Sequence, residues 1–186
     1  MAYKNRYTLE KSEKHLIELS RKGNSKAQRQ LYELHRSQWF ILCLRYGGNS
    51  TDAQDILQNG LIRVFTALKQ FDENRGNFIV WSNKIMVNEA LRFLQKQKRI
   101  NFFESVDESH LQIGVESNIY NLLSAKELVQ IIQKLPDGYR TVFNLYTIEG
   151  YSHKEISQEL NISVGTSKSQ LSKAKKLLRQ WIEVLL

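Results

Sequence analysis

The stretch "NISVGTSKSQLSKAKKLLRQ", from Asn161 to Gln180, combines two features that an ordinary surface helix does not combine. Its second half has helical spacing, since Leu171, Ala174 and Leu178 recur at i, i+3 and i+7. Its first half is rich in Gly, Ser and Thr, which are weaker helix formers than Ala, Leu or Glu. The stretch contains no acidic residue, although lysines are frequent. It therefore predicts a helix with one apolar side and a basic, hydroxyl-rich opposite side.

A second helix is predicted directly before this one. In "YSHKEISQEL", Ser152 and Glu155 have the spacing of a capping box, which starts a helix. Asn161 follows Leu160 and readily adopts the left-handed conformation that ends a helix. Ser163 can then cap a new helix. Two helices joined by so short a turn form a helix-turn-helix, although on spacing alone a helical hairpin that only packs is an equally good interpretation.

The chemistry of the two sides of the second helix favours DNA binding. The side expected to face the protein is formed by Ser167, Leu171, Ala174 and Leu178. The candidate DNA-contacting residues share small size, a hydroxyl group or a positive charge, and are Ser163, Gly165, Thr166, Lys168, Ser169, Ser172, Lys173 and Lys176. Small residues let a helix enter a major groove, hydroxyls bond to base edges, and lysines neutralise phosphates. A solvated helix would normally mix Glu with Lys, so the absence of acids favours the DNA interpretation.

The composition agrees with a polyanionic partner but does not require one. The chain has 186 residues, of which 41% are hydrophobic, and its 27 Lys and Arg against 19 Asp and Glu give a net charge of +8. A basic surface that merely keeps the protein soluble is an equally good interpretation of this charge. The single cysteine, Cys43, lies in the apolar run "WFILCL" and is predicted to be a buried small hydrophobe. The polar amino terminus and the lack of an apolar run of about 20 residues predict a soluble, cytoplasmic protein without membrane insertion.

The pattern along the chain predicts an all-α protein with two small helical domains joined by a flexible linker. The only proline is Pro136, and the alternation typical of strands is scarce. Residues 1–99 form the first predicted domain, and residues 124–186 form the second, which starts with a capping box at Ser124. Between them, residues 100–123 lose periodicity and become acidic, as expected of a linker.

An enzymatic function is not predicted. The four histidines are scattered without ligand spacing, and no Gly-rich phosphate loop, nucleophile elbow or carboxylate cluster is present. We therefore expect no catalytic residue, no metal site and no cofactor. A stand-alone helix-turn-helix regulator remains an alternative for the carboxyl-terminal half, and such a protein should also carry a dimerisation or ligand domain.

The carboxyl-terminal half resembles a known family. The segment "LPDGYRTVFNLYTIEGYSHKEISQELNISVGTSKSQLSKAKKLLR" closely resembles region 4 of the extracytoplasmic-function (ECF) sigma factors of bacterial RNA polymerase. The segment departs from the family pattern at Ser157, Ser167 and Gln170, where the family has Ala, Val and Arg. Loss of the Arg is expected to remove a phosphate contact. Ser167 on the inward side predicts a more loosely packed turn.

The amino-terminal half is similar to region 2 of the same family, with a core match over about residues 25–99. The similarity lies in "DAQDILQNGLIRVF" and "FIVWSNKIMVN". Asn59 and Ser82 replace the common Glu and Leu. Gly60 lies inside a predicted helix, which costs about 1 kcal/mol relative to Ala and indicates a close approach. The chain lacks the region 3 domain of larger sigma factors.

The resemblance implies partners and site residues. Core RNA polymerase would bind through the clamp helices of its largest subunit to Asp55, Gln58 and Arg63. Residues implied in binding the −10 element are Phe71, Arg75, Asn77, Lys84, Asn88, Arg92, Lys96, Lys98 and Arg99. The −35 element would receive helix 164–178 in its major groove, while the apolar side of that helix meets the flap of the second-largest subunit. Many relatives are controlled by an anti-sigma factor, and no obligate homo-oligomer is expected.

Overall fold

The computed structural model describes residues 2–97 and 125–183. Within these residues the chain forms helices joined by turns and contains no β-strand, so the all-α prediction is confirmed. None of the described helices is both long enough and apolar enough to cross a membrane. The predicted linker 100–123, the candidate residues Lys98 and Arg99, and the capping box predicted at Ser124 lie outside the described residues.

Four helices lie in each half of the described chain. The first half contains α1 (Ala2–Arg21), α2 (Ser25–Gly47), α3 (Ser50–Ala67) with a short 3-10 turn (Leu68–Gln70), and α4 (Phe78–Lys96). The second half contains α5 (Ala125–Gln133), α6 (Asp137–Phe143) with a π-helical turn (Asn144–Ile148), α7 (His153–Leu160) and α8 (Val164–Glu183). By spatial proximity the chain divides into two compact units, Met1–Cys43 with Thr51–Ala90 and Leu44–Ser50 with Leu91–Leu186.

Two unusual residues of the first unit, the departure Ser82 and the helical glycine Gly60, are each explained by one buried partner. Ser82 is fully buried, and its hydroxyl accepts a hydrogen bond from Nε1 of Trp39 at 3.1 Å. The Ser82 hydroxyl in turn donates to the carbonyl of Ile79 at 3.1 Å. A β-carbon at Gly60 would overlap the sulfur of buried Met86, so the glycine permits the close approach of α3 and α4 that its position predicts. The buried state predicted for the lone cysteine is also confirmed.

The core of the second unit is built around α8. Its buried apolar residues come from α5, the turn after it, α6 and α8 and are Ile131, Leu135, Tyr139, Ala174, Leu177, Leu178 and Trp181. The turn between α5 and α6 is held by Arg140, which is only 3% exposed. Its guanidinium donates to the carbonyls of Leu135 at 2.8 Å and Gln133 at 3.1 Å and pairs with Asp137. A buried cation needs such partners, so Arg140 fixes the platform on which α8 packs.

Candidate nucleic-acid interface

The first helix of the carboxyl-terminal pair begins at the predicted capping box. The backbone N–H of Ser152 donates to a carboxylate oxygen of Glu155 at 2.8 Å. In return the N–H of Glu155 donates to the hydroxyl oxygen of Ser152 at 3.2 Å. Both bonds satisfy amides that have no partner within the helix, and they fix the first residue of α7.

The turn between α7 and α8 has the predicted geometry. Asn161 adopts the left-handed conformation, with φ 52° and ψ 48°, and ends α7. The hydroxyl of Ser163 then accepts a hydrogen bond from the N–H of Thr166 at 2.9 Å, which caps α8. Only residues 161–163 separate the two helices, so the structure contains the helix-turn-helix that the sequence predicts.

The two sides of α8 are separated as predicted. On the inward side Ser167 and Ala174 are fully buried, and Leu171 and Leu178 are 6% and 8% exposed. The exposed candidate residues are Ser163, Gly165, Lys168, Ser169, Ser172, Lys173 and Lys176, while Thr166 is half-buried. The structure therefore brings all eight together at one exposed side of the helix-turn-helix, as required of a surface that enters a groove.

Local bonds organise the hydroxyl groups on this side. The hydroxyls of Ser163 and Thr166 lie 2.9 Å apart, and the hydroxyl of Ser169 donates to the carbonyl of Thr166 at 2.9 Å. Lys173 lies over the ring of Tyr139, with 5.8 Å between its ammonium nitrogen and the ring centroid. Hydroxyl oxygens bound in this way can still accept a hydrogen bond, so the first turns of α8 present oriented acceptors beside positive charges.

Three sequence expectations about α8 need correction. Gln170 is only 4% exposed, so it is an inward residue rather than a phosphate-facing one. Leu178 and its apolar neighbours pack against α5 and α6, so this side of α8 is occupied within its own unit and is not available to the polymerase flap. The hydroxyl of Ser167 is hydrogen-bonded to Nδ1 of His153 at 2.9 Å, a contact that the prediction of a loosely packed turn did not include.

In the first unit, α3 presents the three residues implied in polymerase binding. Asp55, Gln58 and Arg63 are all exposed. Arg63 forms an ion pair with Glu89 of α4, a carboxylate that is otherwise buried. Ile62 on the same exposed part of α3 is 66% exposed, although it is apolar. The sequence pattern could not pair Arg63 with Glu89, because the two residues lie on different helices.

The loop before α4 is anchored by aromatic packing. Phe71 is 6% exposed, and its ring lies 5.5 Å from the ring of Phe78 and 5.3 Å from that of Trp81. The guanidinium of Arg21 donates to the carbonyl of Phe71. Asn77 ends the loop, and its side-chain oxygen accepts from the N–H of Ile79 at 2.9 Å. Trp81, assigned to the core from the sequence, is half-buried in this cluster.

The remaining candidates for the −10 element that the structure describes lie in this loop and on α4. Arg75 is exposed in the loop. On α4, Lys84, Asn88 and Arg92 recur at i, i+4 and i+8 and so share one side, with Lys96 one turn further. Lys84, Arg92 and Lys96 are exposed, and Asn88 is half-buried. Among the candidates within residues 12–97, Phe71 alone is buried, so it supports the loop and does not face DNA as the resemblance implied.

Within residues 12–97 and 126–183, whose side chains the structure describes, no three His, Cys, Asp or Glu side chains form a group that could hold a metal ion. Two of the histidines described there have structural neighbours instead. His35 lies 2.8 Å from a carboxylate oxygen of Glu13, and its ring packs on Trp39. His153 stacks on Tyr146 with 4.4 Å between ring centroids.

This geometry defines the class as DNA-binding proteins of the helix-turn-helix type, with a second helical unit attached. Two protein-family models match the chain. Residues 31–100 match the family model "Sigma-70 region 2", and residues 125–178 match "Sigma-70, region 4".

Individual relatives agree with both matches. The ECF RNA polymerase sigma factor SigW of Bacillus subtilis (strain 168) is 31% identical over 180 residues, covering 91% of this chain and 96% of the relative. The ECF RNA polymerase sigma-E factor of Escherichia coli (strain K12) is 30% identical over 184 residues, covering 92% and 94%. The chain therefore belongs to the ECF sigma factors of RNA polymerase.

A solved structure shares the fold. The sigma factor RpoE from Bartonella quintana, in a co-crystal with the anti-sigma factor NepR, has a TM-score of 0.50 and 19% identity to this chain. The similarity covers 84% of this chain and 96% of the other.

Proposed function

We propose that the chain binds core RNA polymerase, directs it to promoters through a −10 and a −35 element, and so starts DNA-templated transcription. The observation that carries the proposal is the exposed side of α8. Of the eight candidate residues there, the charged ones, Lys168, Lys173 and Lys176, are all positive, and the others are small or hydroxyl-bearing. Such a side can lie against phosphates and base edges, since neither bulk nor negative charge opposes the approach.

We assign the other two contacts to α3, the loop after it and α4. Asp55, Gln58 and Arg63 of α3 would meet the clamp helices of the polymerase, because they combine exposure with mixed charge and an apolar neighbour. The loop Phe71–Asn77 and the exposed side of α4 would bind the −10 element. The support for this part is the set of positive side chains on α4, together with the exposed polar residues Arg75 and Asn77 of the loop that the buried aromatic groups hold in place.

In this proposal the chain does not synthesise RNA by itself. RNA synthesis belongs to the polymerase, so the chain acts in the cytoplasm as a recognition subunit rather than as an enzyme. Contact with the polymerase flap would use exposed parts of the second unit, because the apolar side of α8 is occupied. An anti-sigma factor is a further proposed partner, by analogy with the complex of the Bartonella relative. Such a partner should lower transcription by competing with core polymerase.

Run-off transcription tests the proposal. Core polymerase with and without the chain is supplied with candidate promoter templates, and binding of the chain to core is measured separately. We expect transcripts only when the chain is present, from templates with defined −35 and −10 elements. A chain that forms no stable complex with core polymerase would contradict the sigma-factor function. A chain that binds DNA specifically but independently of polymerase would favour the stand-alone regulator instead.

A further inference from the structure

A group of four side chains connects the three elements around the helix-turn-helix. Nδ1 of His153, at the start of α7, lies 2.9 Å from the hydroxyl oxygen of Ser167 on α8. The ring of His153 stacks on Tyr146 of the π-helical turn, with an interplanar angle of 23°. The ammonium of Lys175 on α8 lies 5.8 Å from the centroid of the Tyr146 ring. We call these four residues the His153 cluster.

The hydrogen bond between His153 and Ser167 fixes the position of a buried side chain. Ser167 is fully buried, and a buried hydroxyl without a partner is costly, so the imidazole determines where this side chain can lie. The first turns of α8 contain Gly165, Thr166 and Ser169, whose weak helix propensity gives little rigidity of their own. A bond from α7 at this point therefore restrains the rotation of α8 about its axis.

We propose that His153 is a positioning residue for promoter recognition, which holds the Ser167 hydroxyl and thereby directs Lys168 and Ser169 toward the −35 element. Lys168 follows Ser167 directly in the chain, so a small rotation at Ser167 moves the neighbouring side chains across the base edges. The proposal deepens the function proposed above and rests on it, because it requires α8 to read DNA. No contact between His153 and DNA is needed.

The protonation state of His153 affects how it holds the Ser167 hydroxyl. Burial, followed by the positive charges of Lys168 and Lys175, lowers the pKa of His153 from its usual value. Tyr146 is stacked on the ring, and Lys154 and Glu155 are its charged neighbours in the sequence of α7. With its proton on Nε2, the neutral ring accepts from the Ser167 hydroxyl through Nδ1, whereas the charged ring must donate to it.

Protonation therefore has two consequences for recognition. The reversed bond leaves the Ser167 hydroxyl hydrogen without its acceptor, so the restraint on α8 changes. The added positive charge also strengthens attraction to phosphates of any sequence. Both consequences reduce the discrimination between a promoter with an intact −35 element and one with an altered element.

A double-mutant cycle on the reconstituted holoenzyme tests the proposal. The variants are Ser167→Ala, His153→Leu and the combination of both, and the readout is the ratio of transcription from two templates that differ only in the −35 element. We expect each single variant to lower this ratio about three- to tenfold and the double variant to lower it no further, because one bond is lost in all three. His153→Asn is the matched control, since it keeps a polar atom near the Nδ1 position, and it should retain most of the ratio.

A pH series separates positioning from packing. Lowering the pH from about 8 to about 5, well below the ordinary histidine pKa of about 6.5, should reduce the ratio for the parent chain, because His153 gains a proton, and should leave the ratio for His153→Asn unchanged. Helicity and affinity for core polymerase are measured for every variant. If His153→Leu does not fold, Ser167→Ala and the pH series with His153→Asn still decide the matter.

The outcomes distinguish this inference from the function on which it rests. A parent chain with no preference for an intact −35 element overturns the proposed function and the inference together. A parent chain with that preference overturns the inference alone if the two single variants leave the ratio unchanged, if their effects add, or if the ratio in His153→Asn keeps the pH dependence of the parent.

Discussion

Helices α8 and α3 each bury one side and expose the other, but the exposed sides carry different chemistry. From Val164 to Gln180 the exposed side of α8 has lysines, hydroxyls and glycine and no acid. That of α3 has an acid, Asp55, a neutral amide, Gln58, and the exposed apolar side chain of Ile62. The positive charge of α3 at Arg63 is already paired with Glu89. A polyanion favours the first pattern, and a protein surface of mixed chemistry favours the second.

The difference shows how little the net charge of +8 says on its own. What separates a DNA-facing helix from a protein-facing one is whether acids interrupt the basic residues and whether bulky apolar groups are exposed between them. Substitutions that exchange these properties between α8 and α3 are therefore the most direct way to test the assignment.

The largest effect is expected when an acidic residue is placed among the basic and hydroxyl-bearing residues on the exposed side of α8. Lys168→Glu removes one positive charge and adds a negative one where phosphates would lie, so transcription from a −35-dependent promoter should fall on the order of 100-fold. Run-off transcription with saturating core polymerase measures this. Lys134→Glu makes the same charge change at an exposed position outside α8 and should cost less than about threefold. Equal losses in the two variants would mean that only the net charge matters.

A second variant tests the support of α3. Gly60→Ala should lower the free energy of unfolding by about 1–2 kcal/mol, because the overlap with Met86 costs more than the helix propensity that Ala gains. Denaturation in urea, followed by circular dichroism, measures the change. Asn59→Ala, at the exposed neighbouring position, should leave stability within about 0.5 kcal/mol. Greater stability of Gly60→Ala would show that Met86 moves aside easily and that close approach is not required.

The parts of the fold that could be predicted from the sequence depend on contacts between near neighbours in the chain. The capping box joins Ser152 to Glu155, and the cap of α8 joins Ser163 to Thr166. Each bond closes within three residues, so sequence spacing alone places both partners. The same holds for Asn161, whose left-handed conformation is a property of one residue.

The parts that could not be predicted depend on contacts between helices. Ser82 and Ser167 were visible in the sequence only as departures from a family pattern. Their partners, Trp39 and His153, lie 43 and 14 residues away. No spacing rule specifies such a pair, because the partner is chosen by the packing of two helices. Phe71 is a different case, because the sequence around an aromatic residue beside a loop is the same whether the residue is buried or binds a base.

A third prediction separates helix support from recognition among serines of the helix-turn-helix. Ser152→Ala removes the capping box and should lower the free energy of unfolding by about 1 kcal/mol. Ser172→Ala, on the exposed side of α8, should leave the free energy of unfolding within about 0.5 kcal/mol and change the preference among −35 sequences instead. Thermal unfolding and transcription from a set of −35 variants measure the two properties. A loss of stability in Ser172→Ala as large as in Ser152→Ala would contradict the separation of the two sides.

A smaller effect is expected on the side assigned to polymerase. Asp55→Ala should weaken binding to core polymerase about three- to tenfold, because it removes one exposed charge from a protein interface. The preference among promoters should not change. Titration of fluorescently labelled chain with core polymerase measures the affinity, and transcription from paired promoters measures the preference. A shifted promoter preference with unchanged core affinity would show that α3 faces DNA and would remove the contrast with α8.

The smallest effect follows from the imidazole in the helix-turn-helix. The pKa of His153 is lowered in the folded chain by burial and then by Lys168 and Lys175. As the pH falls, the unfolded chain therefore binds a proton at this residue before the folded chain does. Stability contributed by the neutral ring is fully present above the ordinary histidine pKa of about 6.5 and is lost as the pH falls from there toward the lower folded value.

The measurement is the thermal midpoint of the parent and of His153→Asn across this pH range. Asn cannot titrate, so its midpoint should fall less on acidification, and the difference between the two curves isolates His153 from every other titrating group. Parallel curves would mean that His153 titrates alike in the folded and unfolded chain. In that case Lys168 and Lys175 would not oppose protonation of His153. Charges on the exposed side of α8 could then be changed without altering the stability that His153 contributes.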